Sequence, residues 1–370
     1  MVGVGQTEVE RLIVRAFRYG YVAARIRGRK SWMLTKSDYE SLISAEEISS
    51  LIRKLGETRY GKYFSELTQT PSVQQLEKTL AMFLEDEMNL IKSELGPRRA
   101  GLFNALYKQL ELTTLKEVLR LVVFGLDPEM VDWVTPFGRY DTSLCRSLAQ
   151  ADNLGQTLSR IPEEKNLVDK LRVVADEEGS PAQTAAKVEI VLDNYGCGMV
   201  WRALQKLGGA DKRCVSLVGF LLDMANIVTL IRAKKIGMRP EQILDMTTKS
   251  YYKLGEKIVA KLAGLPSDGE VVNQLATGAY RDILSPLTLM YTTKKDVLPV
   301  EVAFKRFHAW ECEKTFFGAP FHLGETLAYY YLTRYEIEDI RAIVNGKSGG
   351  LPPGAIRENL VLHQPLTPKL

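Results

Sequence analysis

Two short stretches of this sequence contain residue types that could carry chemistry, one suited to a phosphate and one to a metal ion. Asn345-Gly-Lys-Ser348 resembles the end of a phosphate-binding loop. The full motif requires a glycine five residues before Gly346 and a preceding strand, whereas this chain has Arg341 there and a predicted helix before it. We interpret the stretch as the end of a helix, and we predict no nucleotide or cofactor site.

The second stretch places His308, Glu311 and Cys312 on one face of a predicted helix, with His322 nearby in sequence. A structural zinc ion needs four ligands, and a free cysteine usually behaves as a small buried hydrophobic residue. The sequence also lacks the GxSxG and HExxH patterns of hydrolytic sites. We therefore predict no metal site and no catalytic residue, so the chain is not expected to be an enzyme.

The elements that position these residues are helices, and the most distinctive one lies between Val215 and Glu241. Its apolar run is interrupted by Asp223 and Asn226 and is shorter than the ~20 apolar residues of a membrane span. The pattern therefore predicts a core helix. Its polar or small residues recur at spacings of three, four and three and form one stripe on an apolar cylinder: Ser216, Gly219, Asp223 and Asn226.

This helix pattern occurs three times in the chain. A shift of 112 residues towards the N-terminus places Gly125 under Gly237, and a shift of 110 residues in the other direction places Glu336 on Asn226. The polar stripe persists in both copies, as Asn104, Tyr107, Glu111 and Thr114 and as Thr326, Tyr329, Thr333 and Glu336. A second echo relates Leu55–Tyr60 to Leu275–Tyr280. A period near 110 residues indicates repeated domains, since solenoid units are shorter.

Alternating β-type runs are almost absent, so the predicted fold class is all-α. The repeat predicts three similar helical domains, at residues 1–132, 133–247 and 248–370. With 370 residues and 45% hydrophobic content, the chain has enough apolar surface for three cores. The helices that carry the repeated pattern are predicted at Ala100–Phe124, Ser216–Lys235 and Gly324–Val344.

Composition limits the cellular setting. Lys and Arg number 49 and Asp and Glu 45, a balance that does not favour a nucleic-acid-binding protein. The four cysteines are scattered and lack CxxC pairs, which is typical of free thiols in a reducing compartment. Neither a signal-peptide pattern nor a membrane span is evident, so we expect a cytoplasmic protein that meets a membrane from outside or through a partner.

One local exception to this charge balance is the segment Arg11–Lys30, which contains seven basic residues and no acidic one. Such a density could meet lipid headgroups, phosphates or an acidic protein face. The simplest interpretation is a solvated helix face. The alternative function that this segment supports is a helical scaffold that binds nucleic acid or another protein.

Several segments resemble a known family. They are Tyr21–Arg25, Trp32–Leu34, Tyr39–Leu42, Asn226–Arg232 and, most specifically, Glu311–Glu358 with Phe321, Gly324, Leu327-Ala-Tyr329, Glu336-Ile337, Arg341-Ala-Ile343, Gly346-Lys347, Gly350-Leu-Pro352 and Ile356-Arg-Glu358. On these residues the chain resembles the C subunits of archaeal and bacterial V/A-type ATP synthases, which are similar to the d subunit of the eukaryotic vacuolar proton pump. The resemblance covers the full length and is thinnest from Tyr140 to Pro181 and after Leu362.

The resemblance implies a non-catalytic rotor component of a proton- or sodium-translocating ATP synthase or ATPase. In that family three helical domains surround a pseudo-threefold axis in a funnel. The funnel receives the central axle, made by the D and F subunits, and rests on the membrane proteolipid ring. This implies a peripheral component at the cytoplasmic face of the cell membrane, with no nucleic-acid partner.

The polar stripes provide candidate residues for the partner interface. If three repeats surround one axis, equivalent stripes all face inward, towards the axle, or all face outward, as solvated surfaces. We favour the inward arrangement, because a polar stripe on a covered apolar helix needs a hydrated cavity or hydrogen-bonding partners. The predicted interface residues are Glu111, Asp223, Asn226, Thr333 and Glu336.

Overall fold

The computed structural model describes residues 8–65, 67, 71–207, 212–318 and 320–366, without the side chains of residues 8–18 and 98. Within these ranges the regular secondary structure consists of helices, and no β-strand is present. The first ten helices are α1 (Glu8–Lys30), α2 (Lys36–Ser44), α3 (Ile48–Gly56), α4 (Gly61–Phe64), α5 (Val73–Leu95), α6 (Pro97–Val123), α7 (Thr142–Ala149), α8 (Leu154–Arg160), α9 (Lys165–Asp176) and α10 (Pro181–Lys206). The remaining helices are α11 (Lys212–Lys235), α12 (Pro240–Met246), α13 (Glu256–Ala263), α14 (Asp268–Leu275), α15 (Arg281–Leu284), α16 (Thr288–Lys294), α17 (Leu298–Lys314), α18 (Leu323–Ser348) and α19 (Pro353–Asn359). Two short 3-10 helices span Pro128–Trp133 and Ser285–Leu287. The all-α prediction is therefore confirmed.

Three pairs of long helices form hairpins, namely α5 with α6, α10 with α11, and α17 with α18. The second helix of each hairpin also packs against the first helix of another: α6 contacts α10, α11 contacts α17, and α18 contacts α5. The contacts between the hairpins therefore form a closed cycle.

Short helices fill the space between neighbouring hairpins. Helices α7–α9 contact α6 and α10, and α12–α15 contact α11, α14 or α17. The third set comes from the start of the chain, where α1 and α3 contact α18 and α4 contacts α5. We name these groups the middle unit (α6–α10), the late unit (α11–α17) and the terminal unit (α18 and α19 with α1–α5), the last of which joins both ends of the chain.

The apolar core is shared at one end of the hairpins and divided at the other. One cluster contains Leu102, Leu217 and Leu327, which lie near the start of α6, α11 and α18. The later part of α6 lies in a second cluster, whose members run from Leu112 to Tyr195. The later part of α11 lies in a third cluster, whose members run from Phe220 to Phe304. Both separate clusters cross the domain boundaries predicted after residues 132 and 247, so that three-domain division stays a prediction.

The last turns of the three second helices have the same geometry. Gly125, Gly237 and Gly350 follow α6, α11 and α18 with φ of 59°, 75° and 69°, which glycine adopts without the steric strain of a side chain. In each turn the next residue donates its amide to a carbonyl five residues earlier, from Leu126 to Leu121 at 3.0 Å, from Met238 to Ala233 at 3.0 Å and from Leu351 to Gly346 at 2.8 Å. This is the Schellman arrangement.

These three turns correct one detail of the predicted repeat. When the turns are superposed in sequence, the position fourteen residues before the glycine is Glu111, Asp223 and Glu336. Glu336 therefore matches Asp223, and the predicted match to Asn226 is wrong. The third copy is displaced by 113 residues from the second.

Helix α11 is the one helix in the described ranges that has the length and hydropathy of a membrane span. In the protein it packs against α10, α12, α13, α14, α17 and α18, and 67% of its most apolar window is buried. Its apolar residues are covered by other helices, as expected for the core helix that the sequence predicts.

Candidate functional site

A cavity of about 400 Å³ is lined by side chains from all three hairpins, and we call it the central cavity for this reason. Helix α6 contributes Gln109, α17 contributes Glu301, and α18 contributes Tyr331 and Arg334. The remaining lining comes mainly from α10 and α11, with Met246 and Thr248 at the end of α12. Because the first helix of one hairpin packs on the second helix of another, the cavity forms where the cycle of helices meets.

The floor of the cavity is the apolar face of α11. Val218, Leu221, Ala225 and Val228 line it at helical spacing, and Leu221, Ala225 and Val228 are only partly buried. Partly exposed aliphatic side chains in a concave site favour the binding of an apolar partner surface.

Ion pairs surround this floor. Arg232 pairs with Glu301, which joins α11 to α17, and Asp193 pairs with Lys116, which joins α10 to α6. On α18, Glu338 accepts a hydrogen bond of 2.7 Å from Lys305. Burial alone would raise the pKa of Glu338, but the cations of Lys305 and Arg334 lower it, so this carboxylate is held in its charged form.

Asp223, one of the predicted interface residues, is fully buried on the opposite side of α11. Its two carboxylate oxygens accept backbone amides of three successive residues, from Tyr252 at 3.0 Å, Lys253 at 2.7 Å and Leu254 at 2.9 Å. The hydroxyl of Tyr280 donates a further bond of 2.6 Å. Burial and the Asp223 charge both raise the pKa of Tyr280, which keeps its proton available for this bond.

Glu336 makes the equivalent contacts in the terminal unit. It is fully buried and accepts the backbone amide of Leu34 at 2.7 Å and the Tyr60 hydroxyl at 2.7 Å. The guanidinium of Arg59 forms an ion pair with it at 2.8 Å and donates a longer bond of 3.4 Å to Thr333. Helix α18, near the C-terminal end of the chain, is thus bound to the loops at its start.

Glu111 occupies the same position in the middle unit. It accepts the backbone amide of Arg139 at 2.9 Å and pairs with the Arg139 side chain at 3.1 Å and with Lys108 at 3.3 Å. Gly138 allows this approach, because its φ is 58° and an added Cβ would lie 2.5 Å from Glu111 Oε1.

Asn226 lies three residues after Asp223 and also holds a loop. Its side-chain oxygen accepts the amide of Thr248 at 2.8 Å, and its amide group donates to Ser250 O at 3.4 Å. In the terminal unit the matching residue is Asp339, which accepts the amides of Val361 and Leu362 at 2.7 and 2.9 Å.

The five predicted interface residues therefore share a buried polar environment, but they do not lie at the surface of the central cavity. Glu111, Asp223, Asn226, Thr333 and Glu336 are all buried, and none of them lines the central cavity. Their polar groups form hydrogen bonds and ion pairs within the chain itself. Their contribution to a partner interface stays a prediction.

The matches to known proteins cover the same long helices and loops. The model of the family described as ATP synthase (C/AC39) subunit matches residues 22–359. The chain belongs to this family. The C subunit of the A-type ATP synthase of Methanocaldococcus jannaschii is 22% identical over 95% of this chain and 88% of its own length. The corresponding C subunits of Archaeoglobus fulgidus and Methanosarcina barkeri are 24% and 25% identical, each over 93% of this chain and over 96% and 93% of their own lengths. The resemblance seen in the sequence is confirmed.

In this member of the C/AC39 family the basic residues in the described half of α1 are engaged in ion pairs. Four of its cations pair with acids of other helices: Arg25 with Glu94, Arg27 with Glu325, Arg29 with Glu87 and Lys30 with Glu313. The side chains of Arg11, Arg15 and Arg18 lie outside the described residues. The four paired cations are engaged in helix packing, which argues against the nucleic-acid scaffold as a use of this half of the helix.

The trio that resembled a metal site is a packing cluster. His308 is fully buried, with Nδ1 2.8 Å from the Tyr335 hydroxyl and Nε2 3.1 Å from Leu217 O. Since Leu217 O can only accept, Nε2 donates and Nδ1 accepts from the tyrosine. Cys312 is buried beside the ring, while Glu311 pairs with Lys314 at the surface. In the described ranges no group of three acids, histidines or cysteines is close enough to hold a metal ion.

The phosphate-loop resemblance also has a structural explanation. Asn345-Gly-Lys-Ser348 forms the last turn of α18, as the sequence predicts. Gly346 packs against Ile356, and the Lys347 ammonium donates to the carbonyl oxygens of Ile43, at 2.6 Å, and of Ala45. Lys347 thereby joins the end of α18 to the loop after α2.

Sequence reasoning missed the cavity-lining residues. Leu221, Ala225 and Val228 are indistinguishable from ordinary core positions in the sequence, because their apolar character matches that of the rest of α11. The one available signal was that apolar residues lie near a charged residue on two of the long helices, at Arg232 and at Arg334. This signal indicates a cavity only when it is known which helices are neighbours.

Proposed function

We propose that this chain is the non-catalytic rotor component that couples the central axle, made by the D and F subunits, to the proteolipid ring of a proton- or sodium-translocating ATP synthase. In this role it is a peripheral component at the cytoplasmic face of the cell membrane. Membership of the ATP synthase (C/AC39) subunit family supports a place in such a complex. The relatives that match over almost the whole chain are C subunits of A-type ATP synthases.

The observation that carries the proposal is the central cavity, because all three hairpins line it. A socket that transmits torque must hold its axle on several sides through parts that are braced against one another. The cycle of contacts from α6 to α10, α11 to α17 and α18 to α5 supplies such bracing. The apolar floor on α11 offers the axle a desolvated contact, and the surrounding ion pairs offer a polar rim.

The funnel shape is part of this proposal. The starts of α6, α11 and α18 share one apolar cluster, whereas the later parts of α6 and α11 lie in separate clusters. Hairpins that converge at one end and diverge at the other around an approximate threefold axis would enclose a funnel. The wide end would then carry the three Schellman turns, and we propose that this end faces the ring.

The buried stripe residues act behind the cavity wall in this proposal. Asp223 and Glu336 fix loops to the outer side of α11 and α18, and Glu111 does the same for α6. Because these bonds set the rotation of each helix about its axis, they also set which side chains face the axle. An effect of these residues on axle binding is therefore expected to be indirect.

The proposal is tested by placing a charge on the cavity floor. Val228 is partly buried and faces the cavity, so Val228→Glu would bury a carboxylate against an apolar partner. We expect the affinity for the purified D–F pair to fall by about tenfold or more, since an unpaired buried charge costs several kcal/mol. The affinity would be measured by isothermal titration calorimetry or surface plasmon resonance.

Val173→Glu is the matched control, because Val173 is 61% exposed on α9 and is not among the lining residues. Its D–F affinity is expected to equal that of the unmodified chain, with both variants showing unchanged helical circular dichroism. Equal binding by Val228→Glu and the unmodified chain would exclude the α11 floor as the axle site.

A further inference from the structure

A cluster of unpaired cations lies where α11 and α16 end. Lys234, Lys235 and Arg239 flank the Schellman turn of α11, and Lys294 and Lys295 end α16. The two helix ends touch, because Lys235 Nζ donates a hydrogen bond of 2.8 Å to Lys295 O. We call these five residues together with Ile236 the basic tip.

The cations of the basic tip outnumber the two acids that adjoin them in sequence, Glu241 and Asp296. None of its five cations forms an ion pair in the described part of the chain, although nearby Arg232 pairs with Glu301. Helix α1 behaves in the opposite way, since Arg25, Arg27, Arg29 and Lys30 all have acidic partners. The basic tip is thus a concentration of positive charge that is left available to an external anion.

An exposed aliphatic side chain accompanies these cations. Ile236 is 74% exposed, and the Schellman turn at Gly237 holds it at the extreme end of α11. The equivalent turn of α6 exposes Phe124 and Leu126 beside the acids Asp127 and Glu129, whereas in the α11 turn only the second of these positions is acidic, as Glu241. Of these two turns, the turn of α11 is the one that combines an exposed aliphatic residue with a cluster of cations.

We propose that the basic tip binds the surface of a phospholipid bilayer that contains anionic lipids. Lys and Arg side chains meet the lipid phosphates, while Ile236 enters the boundary between the headgroups and the acyl chains, as expected for a peripheral basic and apolar surface. This contact goes beyond the coupling of axle and ring, because it attaches the protein to lipid beside the ring, at the end that the proposed function directs towards the membrane. It does not require that the axle occupy the central cavity.

Charge complementarity selects a bilayer over a neutral protein surface. Each lysine or arginine near an anionic bilayer contributes to binding, and the contribution is screened by salt. Five unpaired cations within one end of the molecule are a sufficient number for an electrostatic contact of this kind, and Ile236 supplies an apolar component that a nucleic-acid backbone would not use.

The test is co-sedimentation of the full chain with vesicles. Wild-type protein is expected to bind vesicles made of equal parts phosphatidylglycerol and phosphatidylcholine, to ignore pure phosphatidylcholine vesicles and to be released by added salt. The double variant Lys234→Gln/Lys235→Gln is expected to lose on the order of tenfold or more in partitioning, given two removed charges. Ile236→Ser is expected to bind more weakly while keeping the salt dependence.

The matched control is Lys206→Gln/Lys212→Gln, which removes the same charge from two exposed positions, one at the end of α10 and one at the start of α11. Helix α11 has 24 residues, so Lys212 lies roughly 36 Å from the basic tip. The control is expected to bind like wild type. The proposal would be overturned if the protein bound both vesicle types equally, or if the two double variants lost binding equally. It would also be overturned if a short single-stranded DNA competed fully for binding and Ile236→Ser bound vesicles like wild type.

Discussion

Tyr60 and Glu336 are separated by 276 residues in sequence and are joined by a buried hydrogen bond of 2.7 Å. Tyr280 makes the same type of bond to Asp223 at 2.6 Å. The sequence echo between Leu55–Tyr60 and Leu275–Tyr280 therefore has a physical basis, since each copy ends in a tyrosine that caps a buried carboxylate. The carboxylate that Tyr280 contacts lies 57 residues away in sequence, whereas the one that Tyr60 contacts comes from the opposite end of the chain.

Removal of either tyrosine hydroxyl is expected to destabilise the fold by about 1–3 kcal/mol, because a buried carboxylate loses a hydrogen-bond donor. Tyr60→Phe and Tyr280→Phe would be compared by urea unfolding. Tyr21→Phe serves as the control, since Tyr21 is 67% exposed and its change should lie within about 0.5 kcal/mol. Wild-type stability in both buried variants would contradict the role assigned to the two hydroxyls.

Neutralisation of the stripe acids should have graded effects. Glu336→Gln leaves Arg59 buried without its counter-ion and is expected to cost about 3–5 kcal/mol. Asp223→Asn weakens charge-assisted bonds to backbone amides and is expected to cost about 1.5–3 kcal/mol. Glu111→Gln should cost less, because the side chain of Arg139 is 46% exposed and can be hydrated.

The same three variants test the predicted partner interface. The D–F pair would be titrated at low and moderate salt with protein whose folding is confirmed by circular dichroism. A direct contact predicts weaker binding and a smaller salt dependence for each variant. Unchanged affinity in folded Glu111→Gln and Asp223→Asn would leave these residues with a packing role alone.

The Schellman glycines should tolerate alanine poorly. Gly237 has φ of 75°, so Gly237→Ala is expected to destabilise the protein by about 1 kcal/mol through backbone strain. Gly101 lies within α6 with open space around it, so Gly101→Ala is expected to stabilise by about 0.5–1 kcal/mol. Thermal unfolding of the two variants should shift in opposite directions, and shifts of the same sign would refute this account of the turn.

His308 gives the stability a defined pH dependence. Burial lowers the pKa of His308 to about 3, whereas an unfolded histidine has a pKa near 6.5. Between about pH 6.5 and 3 the unfolded chain binds a proton that the folded chain does not, so this contribution is complete above pH 6.5 and is lost as the pH falls. Urea unfolding at pH 7 and pH 5 should show a smaller difference for His308→Gln than for wild type. An identical difference in both proteins would show that His308 is not the group responsible.

The helical fold was accessible from the sequence because it depends on local patterns. Helical spacing, the glycine after each long helix and the following proline are short-range signals. The ends of the predicted helices differ by no more than four residues from those observed at Pro97–Val123, Lys212–Lys235 and Leu323–Ser348. The predicted register of the third copy differs by three residues from the one that the turn at Gly350 establishes.

The environment of the polar stripe was not accessible from periodicity. Asp223 is satisfied by backbone amides of residues 252–254, and a backbone amide leaves no trace in the pattern of side-chain types. A stripe of this kind therefore looks the same whether it faces water, a partner or a loop of its own chain. The cavity was missed for the related reason that its floor consists of apolar residues on a helix that is apolar almost throughout.

The terminal unit has a consequence for synthesis on the ribosome. Tyr60 emerges long before Glu336, and at about 5–20 residues per second the interval between them is roughly 14 to 55 s. During that time the nascent helices α1–α5 lack the helix that covers their apolar faces. A prematurely terminated chain never obtains it, so proteases can distinguish an incomplete product from a finished one before any assembly begins.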